Sequence, residues 1–309
     1  MPDDKFANQF PLRVRFARWL GHQRWILRGQ NRLLFMILNP DRGYDLPFEV
    51  DFFGLRYRGN TKNYLDWVVL LYGAHAPSEL SVLDRAARYL RRRGRRVVYV
   101  DIGVNVGHHL LLMSGLADEL YGFDPNGSVL RRAREKIELN HIANATLFET
   151  ALGDRDETMA YFPPCTVNEG TGSFLATHGG NARASIPIEV RQASEFLAEK
   201  GISGVGIFKI DVEGFEPAVL RGLKAVFARD RPFVLLELSE PGLNELGGEA
   251  GLRSCFYDGA TVFGVTGRSQ FAHSLARFRA EPGFTECEVL IVPPEHLAAF
   301  WPCGGAGRV

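Results

Sequence analysis

The run VVYVDIGVNVG occupies residues 97–107. Val97, Val98, Tyr99 and Val100 are β-branched or aromatic and carry no charge, which predicts a buried parallel strand. Asp101 to Gly107 make a glycine-punctuated turn, and the apolar stretch His108–Ala117 predicts a helix. Strand, glycine turn and helix form the opening unit of a nucleotide-type α/β fold. Glycine lets the backbone approach a ligand closely, and a helix start offers unpaired N–H groups to a negative group.

The turn departs from the dinucleotide pattern G-x-G-x-x-G. Asn105 stands where a glycine is needed, and a third glycine is absent. A pyrophosphate would sit badly there. The pattern D-x-G-x-N-x-G suits a ligand without phosphates but with a carboxylate and a ribose, and S-adenosylmethionine is such a ligand. Phe123-Asp124-Pro125-Asn126 then closes a second predicted strand, Glu119–Phe123. An acid at that position accepts both hydroxyls of a ribose. Asp124 and Asn126 also precede the predicted helix Ser128–Asn140, so an N-cap role is compatible with ribose binding.

The bulk properties are those of an ordinary globular chain: 309 residues, 46% hydrophobic and 23% charged. The formal net charge is zero, so no nucleic-acid partner is expected. Cys165, Cys255, Cys287 and Cys303 are scattered with no C-x-x-C pair, which argues against a zinc site and provides no disulfide framework. The start Met-Pro-Asp-Asp lacks the basic opening and apolar core of a secretion signal. No apolar run approaches the roughly 20 residues of a membrane span. A cytoplasmic enzyme is the expectation.

Residues 11–38 are unusual. Arg13, Arg15, Arg18, Arg24, Arg28 and Arg32 interleave with Phe16, Trp19, Leu20, Trp25, Ile26 and Leu27, and Leu33–Leu38 is apolar. The expectation is a helix packed on the domain with its arginines reaching to water. Peripheral contact with an anionic membrane at its surface, or a homo-oligomer interface, are the alternatives. Residues 48–59 read as a hairpin around Gly54, and Asn63–Tyr72 and Ser78–Arg93 as helices, with Ser78 as a cap. Arg91–Arg93 sit at a helix end, where the dipole favours cations.

Further on, Ala145–Thr150 reads as the third strand, running into Ala151-Leu152-Gly153-Asp154, near where an adenine sits in this fold. Glu157–Phe162 and Ser185–Arg191 read as paired strands around a long glycine-rich loop, Cys165–Ala184, which reads as a lid or substrate loop. Ala193–Lys200 is a predicted helix and Val205–Ile210 the fourth strand. That strand delivers Asp211-Val212-Glu213-Gly214-Phe215-Glu216-Pro217 to the carboxyl edge of the sheet. Pro217 fits the start of a helix, Ala218–Phe227. Phe233–Leu238 is the fifth strand, with Glu237 near its end. Thr261–Thr266 and Glu286–Val292 read as a final antiparallel pair, joined through a helical stretch, Phe271–Arg279. The tail Cys303–Val309 reads as frayed.

Five blocks together resemble the FkbM family of S-adenosylmethionine-dependent methyltransferases. They are Asp101–Gly107, Phe123-Asp124-Pro125, Ala151-Leu152-Gly153-Asp154, Lys209-Ile210-Asp211-Val212-Glu213-Gly214-Phe215-Glu216 and Leu236-Glu237. The resemblance covers roughly residues 97–240. It implies an α/β class I methyltransferase fold, Rossmann-like, with a mixed seven-stranded sheet and helices on both faces. It also implies S-adenosyl-L-methionine as cofactor and O-methylation of a sugar, glycan, glycolipid or related natural-product hydroxyl. Where the family commonly has alanine and glutamate, this chain has Val104 and Asp124. Residues 1–94 would be a helical and hairpin extension, 95–300 the methyltransferase domain and 301–309 a tail.

Asp101, Gly103, Asn105, Gly107 and Asp124, with Ala151 and Leu152, are the expected cofactor-binding residues. Lys209, Asp211 and Glu213 are the expected catalytic residues. A sugar hydroxyl is weakly acidic, so a base or a metal would help its methylation. Asp211 and Glu213 alternate on a segment read as extended, which lets both point one way. Three readings stay open: a carboxylate base, a divalent metal on Asp211, Glu213 and Glu237, or a structural network of Lys209, Glu213 and Glu216. The metal is not expected. His178 in the long loop is a second base candidate. A catalytically silent scaffold and a nicotinamide-dependent oxidoreductase are the other classes; the retained acids argue against the first and the missing glycine against the second.

Overall fold

The computed structural model describes residues 10–23, 30–39, 45–162, 185–269, 272–281 and 283–300. The long loop with His178 and the tail from Cys303 lie outside the described residues. The chain begins with helices α1 (Leu12–Gly21) and α2 (Gln30–Ile37), the hairpin β1 (Pro47–Phe52) and β2 (Leu55–Asn60), and helix α3 (Tyr64–Tyr72). These elements bury a core of their own around Trp67, Tyr57, Phe52 and Leu34. Buried Asp66 fastens it: its carboxylate accepts the Tyr57 hydroxyl at 2.8 Å and the Asn60 amide at 2.8 Å, and pairs with Arg132. The hairpin turns at Phe53-Gly54, where both residues have positive φ, as alternation around Gly54 predicts.

The remaining elements run α4 (Pro77–Arg92), β3 (Val98–Ile102), α5 (His108–Met113), β4 (Glu119–Phe123), α6 (Gly127–Leu139), β5 (Ala145–Phe148), β6 (Ala151–Gly153), β7 (Glu157–Tyr161), β8 (Ile186–Gln192) and α7 (Ala193–Glu199). They continue with β9 (Ile207–Ile210), α8 (Glu216–Gly222), α9 (Lys224–Asp230), β10 (Phe233–Ser239), α10 (Glu240–Glu245), α11 (Gly248–Ser254), β11 (Thr261–Ser269), β12 (Ala272–Arg277), β13 (Glu286–Val292) and α12 (Pro294–Phe300). The main sheet has the order β12-β11-β13-β10-β9-β3-β4-β5. Its strands β10, β9, β3, β4 and β5 are parallel, and β13, β11 and β12 pair antiparallel. Without β12 this is the seven-stranded order of class I methyltransferases. Because side chains alternate along a strand, Val234 and Leu236 face the α8–α9 layer while Phe233 and Leu235 face the α4–α5 layer. The central strands are covered on both sides and need no polar face.

Four expectations need correction. The stretch read as a helix at Phe271–Arg279 contains an eighth strand, β12, paired with β11. Ladder pairing with β11 from Phe263↔Arg277 to Ser269↔Ala272, with Leu275 buried, outweighs the helix propensity of alanine and arginine. The cap of α4 is Ala76 in a left-handed conformation, not Ser78, because Pro77 with its fixed φ starts the helix. The third strand stops at Phe148, and Ala151–Gly153 joins a separate three-stranded sheet, β6-β8-β7. The stretch read as one helix from Ala218 is two short helices that meet at Leu223. No helix among the described residues is long and apolar enough to cross a membrane.

Candidate active site

The carboxyl ends of β3, β4, β9 and β10 converge on a cavity of about 280 Å3. The order of the sheet reverses beside β3, and in open α/β sheets ligands settle in the crevice such a reversal leaves.

One half of the cavity is built by the first glycine turn. Gly103 has a φ of +84°, and a Cβ there would collide with the carbonyl oxygen of Asp211. The turn after β3 and the turn after β9 therefore touch backbone to backbone. The Asp211 amide donates to the Ile102 carbonyl at 3.0 Å, which completes the seam. Asn105 sits at a φ of +50° and its side-chain oxygen accepts the Val106 amide at 2.8 Å. Asp124 accepts the Asn105 amide at 3.0 Å and the Asn126 amide at 2.9 Å, one on each oxygen. Burial raises the Asp124 carboxyl to about 6, against these two bonds. The cap of α6 is Asn126, whose side chain accepts the Ser128 amide.

Gly103, Asn105, Asp124, Ala151 and Leu152 all line the cavity, with Phe123, Tyr161 and Phe215 as aromatic wall. Asp101 and Gly107 are not among the lining residues. Asp101 is 1% exposed, takes the Tyr99 hydroxyl on Oδ2 at 3.0 Å, and leaves Oδ1 without a hydrogen bond. Gly107 caps α5 with a φ of +77°.

The other half is charged. Lys209, 2% exposed, reaches Asp211 Oδ2 at 2.7 Å. Burial alone would favour the neutral amine, yet Asp211, Asp101 and Glu79 keep it protonated. Burial would likewise push Asp211 up, but Lys209 holds it below its ordinary value. Glu213 also lines the cavity, though not by strand alternation: the chain has turned, and Glu213 has a φ of +52°. That conformation is uncommon for a residue with a Cβ and tends to occur at functional sites. Burial, then the neighbouring Asp211, raises its carboxyl to about 7.

Glu216 braces the turn from within: its Oε1 accepts the amides of Val212 at 3.0 Å and Gly214 at 3.1 Å. The network read as Lys209, Glu213 and Glu216 is thus a Lys209–Asp211 pair beside a backbone brace. Among the described residues no three His, Cys, Asp or Glu side chains are arranged to hold a metal ion.

Residues outside the family blocks complete the wall: His75, Glu79, His109 and Glu288. Glu79 belongs to the first turn of α4, and its Oε2 lies 3.1 Å from His109 Nε2, which makes no hydrogen bond. Burial keeps His109 neutral, its basicity well below that of free histidine. Glu237 and Glu288 are direct cross-strand partners, and like charges so placed repel. Burial first, then Asp211 for Glu237 and Glu79 for Glu288, raise both carboxyls far above their ordinary value. One signal for the missed residues was available: His108-His109 opens an otherwise apolar helix directly after the glycine turn.

Burial raises the Glu79 carboxyl to about 7. A carboxyl with a raised folded value stabilises the fold at low pH and loses that contribution as pH climbs through about 7. Glu79→Gln should therefore flatten the fall in stability between about pH 5 and pH 8 by roughly 1–2 kcal/mol. Denaturant unfolding across that range checks it; an unchanged slope would show that Glu79 does not titrate there.

Comparison with known proteins gives the cavity a lineage. Residues 101–277, more than half of the chain, match the model of the methyltransferase FkbM domain. Methyltransferase 1 of Beauveria bassiana is 26% identical over 145 residues, 40% of this chain and 57% of that protein. The 2-O-methyltransferase NoeI of Sinorhizobium fredii is 26% identical over 166 residues, 48% of this chain and 65% of that protein. The chain thus spans less than two thirds of the length of these relatives. Among solved structures, an FkbM methyltransferase from Methylobacillus flagellatus superposes with a TM-score of 0.40 at 14% identity, over 74% of this chain and 53% of that one. A SAM-dependent methyltransferase from Agrobacterium tumefaciens gives 0.45 at 10% identity, over 80% and 70%. The blocks around Asp101, Asp124 and Asp211 all fall within the matched residues, and the chain belongs to the FkbM methyltransferase family.

Proposed function

We propose that the chain transfers a methyl group from S-adenosylmethionine to a hydroxyl of a sugar or glycan. The observation that carries this reading is the seam between Gly103 and Asp211. It brings Asp124, which we read as the ribose acid, and Asp211 and Glu213, which we read as the reaction acids, around one cavity. The name of NoeI specifies transfer to oxygen, and the many carboxyl groups of the wall match a ligand that donates through hydroxyls.

The residues present fit the cofactor. Asp124 keeps lone pairs for ribose hydroxyls after its two backbone bonds, Phe123, Leu152 and Phe215 offer an apolar bed for an adenine, and the Gly103–Asn105 turn brings backbone close. When bound, S-adenosylmethionine supplies an electrophilic methyl group. The chain itself must align an acceptor, exclude water and take a proton. In this reading Glu213 receives the hydroxyl proton. Asp211, kept ionised by Lys209, orients the acceptor by accepting a hydrogen bond.

Calorimetric titration with S-adenosylhomocysteine, beside NAD as control, tests it. The expected result is saturable binding of the first and none of the second, with Asp124→Ala weakening binding about tenfold or more, as losing hydrogen bonds to a charged acceptor predicts. Equal affinity in Asp124→Ala would remove the ribose role. Absence of binding by the wild type would favour the silent scaffold.

A further inference from the structure

Packing leaves one stripe of α1 uncovered. Val14, Ala17 and Leu20 are buried in the amino-terminal core, while Leu12, Phe16 and Trp19 are 79%, 53% and 45% exposed. Spacings of four and three residues put these three on one helix face. The rings of Phe16 and Trp19 stack at 5.8 Å. On α2, Leu33 and Met36 are also exposed. Single exposed apolar side chains are common, but several large ones on adjoining helices mark an interaction surface.

Along this stretch of sequence the charge has one sign. Between Phe10 and Asn39 there are six arginines and no acid, in a chain whose formal net charge is zero. Arg13, Arg15 and Arg32 are exposed beside the apolar residues. Arg18 differs: its Nε donates to the Leu70 carbonyl at 3.1 Å and ties α1 to α3. An aromatic and aliphatic stripe flanked by arginines suits a surface that is apolar beneath and anionic on top. A two-fold contact between copies through this stripe would bring arginines against arginines.

We propose that α1 and α2 form a docking surface for an anionic lipid bilayer. Phe16 and Trp19 enter the boundary between headgroups and acyl chains, and Arg13, Arg15 and Arg32 pair with lipid phosphates. α1 has 10 residues and lies in the plane of the surface rather than across it. The docking face is linked to the cavity, because α1 packs on α3 and Tyr64 and Leu65 at the start of α3 line the cavity. Under the proposed methyl transfer, this placement suits an acceptor carried on a lipid; the docking itself does not depend on that reading.

Co-sedimentation of the full chain with phosphatidylcholine vesicles, with and without phosphatidylglycerol, tests the proposal. The expected result is binding that requires phosphatidylglycerol and weakens at high salt. The double variant Phe16→Ser, Trp19→Ser should bind about tenfold more weakly or worse. Both positions face solvent, so its melting temperature and S-adenosylhomocysteine affinity should match those of the wild type. No partition of the wild type into the anionic vesicles, or equal partition of the double variant, would overturn the proposal. So would a dimer in size-exclusion chromatography that the double variant dissolves, since the stripe would then belong to a second copy.

Discussion

Glu213→Gln should slow methyl transfer by about 10²–10⁴-fold, the usual contribution of a positioned general base. Its affinity for S-adenosylhomocysteine should stay within about twofold of wild type, since the side chain acts on the acceptor rather than the cofactor. Glutamine keeps the shape and hydrogen bonding of the side chain but cannot take a proton. Burial and the neighbouring Asp211 place the Glu213 carboxyl at about 7. A base with that value matches neutral conditions, where it is partly ionised and still accepts a proton. In the wild type the rate should rise with pH through about 7, and the glutamine variant should lack that limb. Formation of S-adenosylhomocysteine with any acceptor on which the wild type turns over is the readout. Near wild-type turnover in the variant would remove Glu213 from the chemistry and leave Asp211 as the remaining carboxylate of the turn.

Lys209→Met should destabilise the fold by about 3 kcal/mol at neutral pH, toward the lower end of what breaking a buried pair costs. The lower end applies because Asp211 keeps 32% of its side chain open to the cavity. Lys209 is the buried cation on which Asp101, Asp211 and Glu79 all act. Methionine fills a similar length without charge, so the loss comes from the carboxylates left behind rather than from a void. The deficit has a definite pH dependence. In the wild type, Lys209 holds Asp211 below its ordinary value, a stabilisation present above the carboxylate range and lost on acidification. In the variant the carboxyl rises and its protonated form becomes the stable one. The two curves should therefore converge as the pH falls toward about 5. Denaturant unfolding at acidic and neutral pH reads this directly; a deficit independent of pH would point to packing instead of charge.

The parallel centre of the sheet was legible because buried strands write continuous apolar runs, as in Val97–Val100 and Phe233–Leu236. The strand-end turns were legible because glycine, asparagine and acid alternate there for backbone reasons. The antiparallel edge was harder. β12 is the edge strand, and Ala-Arg content speaks for a helix until its partner β11 is present. The charged half of the cavity was only partly legible. Lys209, Asp211 and Glu213 lie on one strand and its turn, so sequence proximity announces them. His75 from the turn before α4, Glu79 from α4 and Glu288 from β13 reach the same wall, and only the sheet order and the packing of α4 bring them together. Asp211 and Glu213 share one cavity, but a left-handed turn, not strand alternation, aims Glu213 there.

The seam between Gly103 and Asp211 joins main chain to main chain and leaves no room for a side chain at Gly103. The spacing between Asp124 and the pair Asp211 and Glu213 is thus fixed with the fold. Under the proposed methyl transfer, drift in acceptor preference falls to the side chains of the first turn of α4 and the facing carboxyl groups of β10 and β13. A lineage built this way can exchange its customers while its working distances stay unaltered. Under that proposal, swapping the segment around His75 and Glu79 between relatives is a more promising way to redirect the chain than altering the turns proposed to hold the donor.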